Sequence, residues 1–240
     1  MPSRDTRARE MRIIPVTGMP EVEAGADIGV LIVEAASAGG TPIEPGDVVV
    51  IAQKIVSKAE GRIVKADTRE EARAVAKREA KRIVRETEDH LIVETQQGFV
   101  CANAGVDMSN VPAGTVSLLP KDSDSSAERI RSTIEAASGP PVAVIVSDTF
   151  GRAWRIGQIN VAIGSSGLPS LRTYDGQVDA AGRELLITQI AHIDELASAA
   201  ELVMEKLERV PVAIVRGYAW EPREGSARDL VRPASEDLFR

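Results

Sequence analysis

Short runs of β-branched apolar residues, each followed at once by polar or flexible residues, constrain the fold more than any other feature of this sequence. The strongest runs are residues 48–52, 142–146 and 212–215, which contain only Val, Ile and Ala. Runs of this length fit buried strands better than helices, which need about 10 or more residues. Because helical patterns lie between these runs, the sequence predicts a mixed α/β (α+β) fold.

The stretches between the runs carry helix start signals and one hairpin pattern. A long charged helix is predicted over residues 68–88, because Thr68 and Glu71 have capping-box spacing and a thin apolar stripe follows. Residues 91–95 and 99–102 fit a hairpin. The remaining predictions are helix N-caps at Asp27 and Asp194, a capping box of Ser125 with Glu128, and a strand over residues 184–190.

Composition and charge exclude several classes of protein. With 43% hydrophobic and 27% charged residues, the 240-residue chain is an ordinary globular protein. The net charge of -7 and the absence of a long basic block argue against a nucleic-acid partner. The single cysteine, Cys101, excludes an internal disulfide and a zinc cluster. No apolar run approaches the roughly 20 residues of a membrane span, so neither a membrane partner nor a location outside the cytoplasm is expected.

The domain organisation follows from the same features. Residues 1–10 are charged and lack an apolar signal core, so we expect a disordered lead-in. No linker, repeat or low-complexity tract interrupts residues 11–240. We therefore expect a single domain over that range, with room for two subdomains.

Residues 147–155 present charged side chains directly after the second apolar run. Asp148 and Thr149 offer hard oxygen ligands suited to Mg²⁺ or Mn²⁺. Arg152 and Arg155 offer planar guanidinium groups suited to phosphates or carboxylates. An acid at the C-terminal end of a strand is a common ligand position in α/β folds. A polar turn, in which Asp148 caps the backbone and the arginines are solvated, explains this segment equally well.

Two further strand ends carry polar residues. Lys54 and Lys58 follow the first apolar run, and lysine is a good partner for a phosphate; an edge strand protected by lysines is the alternative. Asp107 and Asn110 follow the predicted hairpin. Asp107 could bind a metal there, and Asn110 could bind a base, ribose or phosphate. A loop of Asx-turns is the alternative explanation of that segment.

The first predicted strand ends at residues 17–20, Thr-Gly-Met-Pro, whose backbone N–H groups could face a ligand. The chain contains no P-loop, dinucleotide-binding glycine motif or serine nucleophile elbow. If the four polar strand ends converged, Asp107, Asp148 and Thr149 could hold a divalent metal and the cationic side chains could hold phosphates. Such a site would suit phosphoryl transfer. The sequence alone does not establish that convergence.

Five motifs, in the same order and spread over nearly the whole chain, resemble those of the coenzyme F420-0:L-glutamate ligase family. They are residues 15–20 (PVTGMP), 46–50 (GDVVV) continuing to 56–62 (VSKAEGR), 104–110 (AGVDMSN), 147–152 (SDTFGR) and 211–217 (PVAIVRG). The resemblance implies an F420 ligase-like fold and an intertwined homodimer with its active site near the subunit interface. The chain is similar to the stand-alone form, and resembles the N-terminal domain of the actinobacterial bifunctional enzyme.

The activity that the resemblance implies is a GTP-dependent ligation in coenzyme F420 biosynthesis. L-glutamate is attached to the phospholactyl side chain of F420-0, a deazaflavin, through an acyl-phosphate intermediate, and γ-linked glutamates are then added. Two divalent ions per site, Mg²⁺ or Mn²⁺, and K⁺ assist in such enzymes. A metal-dependent phosphohydrolase and a non-catalytic module that binds a nucleotide or deazaflavin are the alternative functions.

The resemblance also implies roles for individual residues. Asp107 and Asp148 would bind one metal ion, and Thr149 would help to hold the other. GTP contacts are implied for Thr17, Gly18, Met19, Pro20, Gln53, Lys54, Lys58, Asn110, Lys206, Leu207, Glu208 and Arg209. The predicted catalytic residues are Lys58, Arg152 and Arg155. For the two arginines this prediction rests on their chemistry, as clamps for the acceptor phosphate or for glutamate, and not on the resemblance.

Overall fold

The computed structural model describes residues 10–237 and has the mixed α/β character that the sequence predicts. The predicted lead-in therefore lies outside the described residues, apart from Glu10. In chain order the elements are β1 (Arg12–Pro15), α1 (Ile28–Ala38), β2 (Val48–Ala52), α2 (Gln53–Ala59), β3 (Ile63–Lys65), α3 (Arg69–Glu79), β4 (Ala80–Glu86), β5 (Leu91–Thr95), β6 (Val100–Ala102), β7 (Thr115–Ser117), α4 (Ser123–Ser138), β8 (Ala143–Arg152), β9 (Arg155–Ser166), β10 (Arg172–Thr173), β11 (Gln189–Ile190), α5 (His192–Met204) and β12 (Val212–Arg216).

Five strands form the central sheet, in the order β1-β12-β2-β8-β9. β2 and β8 are parallel, and the other neighbours are antiparallel. α1 packs on α4, and both α4 and α5 pack against the sheet. Four consecutive residues of β2, Val48 to Ile51, are fully buried, so both faces of that strand are covered. Burial on both faces explains why the strongest strands are continuous apolar runs instead of alternating patterns.

The strand directions place several chain segments at one edge of this sheet. β1 and β2 run in the same direction, because each is antiparallel to β12, and β8 is parallel to β2. The C-terminal ends of β1 and β2, the point where β8 leaves β2 at Ser147, and the start of β12 therefore lie together. We call this end of the sheet, which is formed by strand termini and not by an edge strand, the site edge.

A second cluster of buried apolar side chains lies between α3, the β4-β5-β6 sheet and the β3-β7 pair. Its members are Ala66, Val75, Ala76, Leu91, Val93, Ala104, Val106, Val116 and Leu118. This second cluster supports the connection between β6 and β7, which carries Asp107. The prediction of one domain with room for two subdomains stays a prediction.

The helix predicted over residues 68–88 is wrong in its second half. α3 ends at Glu79, and the chain continues as β4, which pairs with β5. Lys81 and Arg82 on β4 each donate a hydrogen bond to the buried carboxylate of Glu94 on β5, at 2.9 Å. Pairing with β5 therefore outweighs helix propensity there, an interaction between distant segments that a local pattern does not reveal.

Of the four predicted N-caps, those at Asp27 and Thr68 are confirmed, and those at Ser125 and Asp194 are wrong. The side chains of Asp27 and Thr68 each accept a hydrogen bond from the first turn of α1 and α3. At α4 the N-cap is Asp122, whose carboxylate accepts from the backbone N–H of Ser125 at 3.1 Å. The predicted capping box of Ser125 with Glu128 is wrong because the helix begins at Ser123, one turn earlier than that box requires.

The segment before α5 differs from its prediction in two ways. Asp194 lies within the first turn of α5 instead of before it, and its carboxylate accepts from the backbone N–H of Ala162 on β9 at 2.9 Å. The strand predicted over residues 184–190 is reduced to β11, paired with β10, and a single bridge at Glu184. Its apolar residues do not reach a core, since Ile187 is 89% exposed.

Candidate active site

Direct contacts show that the polar strand ends converge at the site edge. Lys54, in the first turn of α2, contacts Asp107 from the β6–β7 connection. Lys206, just after α5, contacts Thr149 on β8. α2 begins directly after β2, so the lysine of its first turn stays at the end of the sheet. The charges of Asp107 and Lys54 also act on Asp148, beside Thr149. Three of the four polar strand ends that the sequence could only assume to converge therefore meet in the fold.

Asp107 is held by cation and backbone contacts. Its Oδ2 accepts a hydrogen bond from Lys54 Nζ at 2.8 Å, and its Oδ1 accepts from the Ser109 N–H at 2.7 Å. Burial raises the pKa of Asp107, but the Lys54 ammonium and the Ser109 N–H outweigh it and lower the pKa below its ordinary value. The backbone of Asp107 exchanges two hydrogen bonds with Ser117, the last residue of β7. The segment is therefore anchored on both sides and is more than a solvated Asx-turn.

Asp148 lies in an extended strand and not in a polar turn. β8 separates from β2 after Ser147 but continues to Arg152, paired with β9. Burial raises the pKa of Asp148 to about 7; the Thr149 N–H opposes this effect, and the negative charge of Asp107 adds to it. Two carboxylates that repel each other in a poorly solvated place favour a cation between them.

Thr149 belongs to a network of four side chains. Its hydroxyl donates to Oδ1 of Asn160 on β9 at 2.7 Å and accepts from Lys206 Nζ at 2.5 Å. The Asn160 amide donates to Glu201 Oε2 at 2.7 Å, and Lys206 Nζ lies 3.3 Å from Glu201 Oε1. Asn160 and Glu201 are absent from the sequence predictions. A polar residue within the apolar run around residue 160 is a signal for the first, whereas Glu201 carries none.

The donor set at the site edge fits a hard divalent cation. Two carboxylates and a hydroxyl, from Asp107, Asp148 and Thr149, are the oxygen ligands that Mg²⁺ and Mn²⁺ prefer. Across residues 10–237 no three or more His, Cys, Asp or Glu side chains are placed to hold a metal together. A cation here would therefore complete its shell with water or phosphate oxygens, as Mg²⁺ commonly does at nucleotide sites.

Comparison with known proteins identifies the family to which this chain belongs. The family model described as F420-0:Gamma-glutamyl ligase matches residues 17–217. The chain belongs to that family. It is thus a ligase by family, and the resemblance inferred from its motifs is confirmed.

Three curated relatives cover most of the chain, and each is named coenzyme F420:L-glutamate ligase. The protein of Methanothermobacter thermautotrophicus is 44% identical over 95% of this chain and 98% of its own length. That of Methanocaldococcus jannaschii is 45% identical over 83% of this chain and 86% of its own length. That of Methanopyrus kandleri is 43% identical over 96% and 98%.

The other residues predicted to contact GTP in this ligase-family chain lie around the same edge. Thr17 and Gly18, which follow β1, are exposed, as are Pro20, Asn110, Leu207, Glu208 and Arg209. Met19 is partly buried against the main core. Lys58 forms an ion pair with Glu21, and Arg209 approaches the other oxygen of that carboxylate at 3.8 Å. Glu21 therefore joins α2 to the segment before β12, a link that the sequence predictions lack.

Gln53 differs from the others in its surroundings. It is 2% exposed, and its Oε1 accepts a hydrogen bond from Ser57 at 2.8 Å. Ser57 is also within 2.6 Å of the Leu118 carbonyl oxygen. The bond between Gln53 and Ser57 lies within α2, and it is Ser57 that links this helix to the segment after β7. The predicted contact of Gln53 with GTP stays a prediction.

The two predicted arginine clamps lie away from the carboxylates within one chain. Arg152 and Arg155 face each other at the β8–β9 turn, and Arg152 Nη2 donates to the Ile156 carbonyl at 2.8 Å. Arg152 lies four positions beyond Asp148 along the strand, which is a distance of about 13 Å. Their catalytic role stays a prediction, and within this chain it finds no contact with the site edge.

A cleft of about 690 Å³ lies at the opposite edge of the sheet, where β9 and β12 end. His192 lies beside it, and its ring nitrogens are within 2.8 Å of the Tyr218 hydroxyl and 2.5 Å of the Pro169 carbonyl oxygen. Burial lowers the pKa of His192, which favours the neutral ring. These contacts agree with a structural role for His192. We place the candidate active site at the carboxylates of the site edge and not at this larger cleft.

Proposed function

We propose that this protein joins L-glutamate to the phospholactyl carboxylate of coenzyme F420-0 at the expense of GTP, and then adds γ-linked glutamates. One observation carries the proposal. This chain belongs to the ligase family, and its site edge contains Asp107, Asp148 and Thr149 together with Lys54 and Lys206. Oxygen ligands for cations and ammonium groups for phosphates are what a carboxylate-activating phosphoryl transfer requires.

The proposed chemistry proceeds in two displacements. A carboxylate oxygen of the acceptor attacks the γ-phosphorus of GTP, and GDP leaves. The glutamate amine then attacks the carbonyl carbon of the acyl phosphate, inorganic phosphate leaves, and the nitrogen loses a proton. Activation is needed because a carboxylate becomes a usable electrophile only when one oxygen is part of a good leaving group.

The residues of this chain would hold and orient the reactants. Asp107, Asp148 and Thr149 would hold divalent ions, Mg²⁺ or Mn²⁺, two per site, which together with K⁺ would neutralise charge on the triphosphate. Lys54 contacts Asp107 and Lys206 contacts Thr149, and both ammonium groups would face phosphate oxygens. Lys58 is less than one-sixth exposed and would do so only after its contact with Glu21 loosens.

We also propose that two copies associate close to this site, as the resemblance implies. The β8–β9 turn and the segment over residues 171–190 carry large exposed apolar side chains. Ile156 is 100% exposed, Leu186 73% and Ile187 89%. Large exposed apolar side chains favour protein–protein contact where they gather into a patch. The turn continues the strand of Asp148, so a partner that covers Ile156 would contact the strand that carries this carboxylate.

The function is tested by incubating the protein with GTP, Mn²⁺, glutamate and F420-0. Mass spectrometry of the deazaflavin is expected to show one and then further glutamate additions, with GDP release that requires both glutamate and F420-0. GTP loss that is indifferent to both would indicate a phosphohydrolase instead. Binding without any turnover would indicate a non-catalytic module.

The location of the reaction is part of the same expectation. In the part of the chain that the structure describes, no helix is both long and apolar enough to cross a membrane. The cytoplasmic location expected from the sequence stays a prediction.

A further inference from the structure

Two polar side chains behind Thr149 are arranged in a way that packing does not explain. Asn160 faces Thr149 across the β8–β9 ladder and is 4% exposed. Its neighbours in β9 include the buried residues Ala162 and Ile163. An apolar side chain of the same size would fit such a position without the cost of burying an amide. The amide is instead hydrogen-bonded on both sides.

The partners of Asn160 fix which way its amide points. Glu201 presents a carboxylate, which only accepts hydrogen bonds when ionised, so the amide NH₂ must face it, at 2.7 Å. Oδ1 then faces Thr149 and can only accept. The single hydroxyl proton of Thr149 is therefore directed to Asn160, at 2.7 Å. The lone pairs of the Thr149 oxygen are left pointing away from Asn160.

The Lys206 ammonium already binds to the Thr149 oxygen. It donates to that oxygen at 2.5 Å and lies 3.3 Å from Glu201 Oε1. A cationic group therefore already lies against the oxygen that Asn160 has oriented. Glu201, on α5, contacts both Asn160 and Lys206, so one carboxylate fixes the amide and the ammonium together. At 25% exposure its side chain is mostly shielded from water, which strengthens both contacts.

We propose that Asn160 and Glu201 are positioning residues, which act through Thr149 and Lys206 and do not touch the reactants. Asn160 keeps the Thr149 proton away from the site so that the oxygen can ligate a cation. Glu201 holds the Asn160 amide in the correct orientation and keeps the Lys206 ammonium at the site edge. The inference rests on the proposed function, because it takes Thr149 as a ligand of a divalent ion.

The test measures Mn²⁺ binding to the full chain by the loss of the free-ion electron paramagnetic resonance signal, without any substrate. Asn160→Leu keeps the volume but removes both amide contacts. We expect its dissociation constant for Mn²⁺ to rise about 10- to 100-fold, as for other groups that orient metal ligands. Ser198→Ala is the matched control, since Ser198 donates only to the backbone carbonyl of Asn160, at 2.7 Å. That control should bind Mn²⁺ as the unaltered protein does.

Two variants of Glu201 separate positioning from a general loss of structure. Glu201→Gln still offers an oxygen to the Asn160 amide, so Mn²⁺ binding should stay within about threefold of that of the unaltered protein. Glu201→Leu removes that oxygen and should weaken Mn²⁺ binding as much as Asn160→Leu does. If Asn160→Leu does not fold, this comparison at the partly exposed Glu201 remains decisive.

The outcomes separate this inference from the proposed function. Unchanged Mn²⁺ affinity in folded Asn160→Leu, or in Glu201→Leu, would overturn the positioning role and leave the ligase proposal intact. Equal loss in Glu201→Gln and Glu201→Leu would also overturn it, because charge alone would then account for the effect. If the unaltered protein does not bind Mn²⁺, the metal part of the proposed function fails, and the inference fails with it.

Discussion

Replacing Asp148 by Asn should stabilise the protein in the absence of metal, and more so as the pH rises. Burial holds the pKa of Asp148 at about 7 in the folded chain, against about 3.9 in the unfolded chain. Between these values the folded state binds more protons than the unfolded state, so the free energy of unfolding falls as the pH rises. Asn resembles the protonated carboxyl in shape and cannot ionise, so the variant escapes this loss.

The size of the effect follows from the two pKa values. Linkage gives a difference in unfolding free energy between variant and unaltered protein of about 1.5 kcal/mol at pH 5 and at most about 4 kcal/mol at pH 8. Urea unfolding in EDTA at the two pH values measures it. The exposed Asp89, replaced by Asn, is the control and should show no such dependence on pH.

Mn²⁺ should reverse the order of the two proteins. A cation that binds the folded state alone stabilises it by mass action, and only the unaltered protein keeps both carboxylates. Asp148→Asn should thus be the more stable protein in EDTA and the less stable one in saturating Mn²⁺. The reasoning is refuted if the variant is destabilised at pH 8 in EDTA, or if Mn²⁺ raises the stability of both proteins equally.

Three further changes test other parts of the structure. Lys206→Met should raise KM for GTP by at least about tenfold with unchanged circular dichroism, because a charge-assisted phosphate contact is lost; an unchanged KM would remove Lys206 from the nucleotide site. Asp122→Ala should lower the unfolding free energy by about 1 kcal/mol at pH 7 through loss of the α4 cap. Contacts with Ser125 lower the pKa of Asp122, so that stabilisation should fade as the pH falls below about 4; a pH-independent difference in urea unfolding would contradict this. Ile156→Glu should convert a dimer to a monomer in light scattering after gel filtration, and persistence of the dimer would exclude this turn from the interface.

The strand framework could be read from the sequence because its strongest strands are buried on both faces. Residues 48–52 and 212–215 gave an unambiguous pattern for that reason. β4 could not be read in the same way. Its residues are amphipathic at a helical spacing. They form a strand because they pair with β5, where Glu94 accepts hydrogen bonds from Lys81 and Arg82. A local pattern identifies an exposed strand such as β4 poorly, because its stabilising contacts come from another segment.

Site residues could be predicted where several polar side chains lie close together in the sequence. They could not be predicted where the interacting side chains come from different elements. Asp107 and Asp148 each stand in a polar cluster that follows a strand, so each drew attention alone. Asn160 and Glu201 each stand between apolar neighbours in the sequence, and their significance depends on a contact between residues 41 positions apart. Arg152 shows the converse, since a cationic side chain close to Asp148 in sequence is carried away from it by an extended strand.

The charge balance at the site edge explains why this arrangement suits cation-assisted chemistry. Three carboxylates, of Asp107, Asp148 and Glu201, meet two ammonium groups, of Lys54 and Lys206. The set is therefore negative when Asp148 is ionised. Burial is the main cause of the raised pKa of Asp148, and the negative charge of Asp107 adds to it. A triphosphate adds further negative charge, so it can enter only with cations that more than offset the carboxylates. We therefore expect GTP and Mn²⁺ to bind with strong mutual dependence, each tightening the other. Calorimetric titration of GTP with and without Mn²⁺ would show it, and equal affinity for GTP under both conditions would contradict the role of the carboxylates.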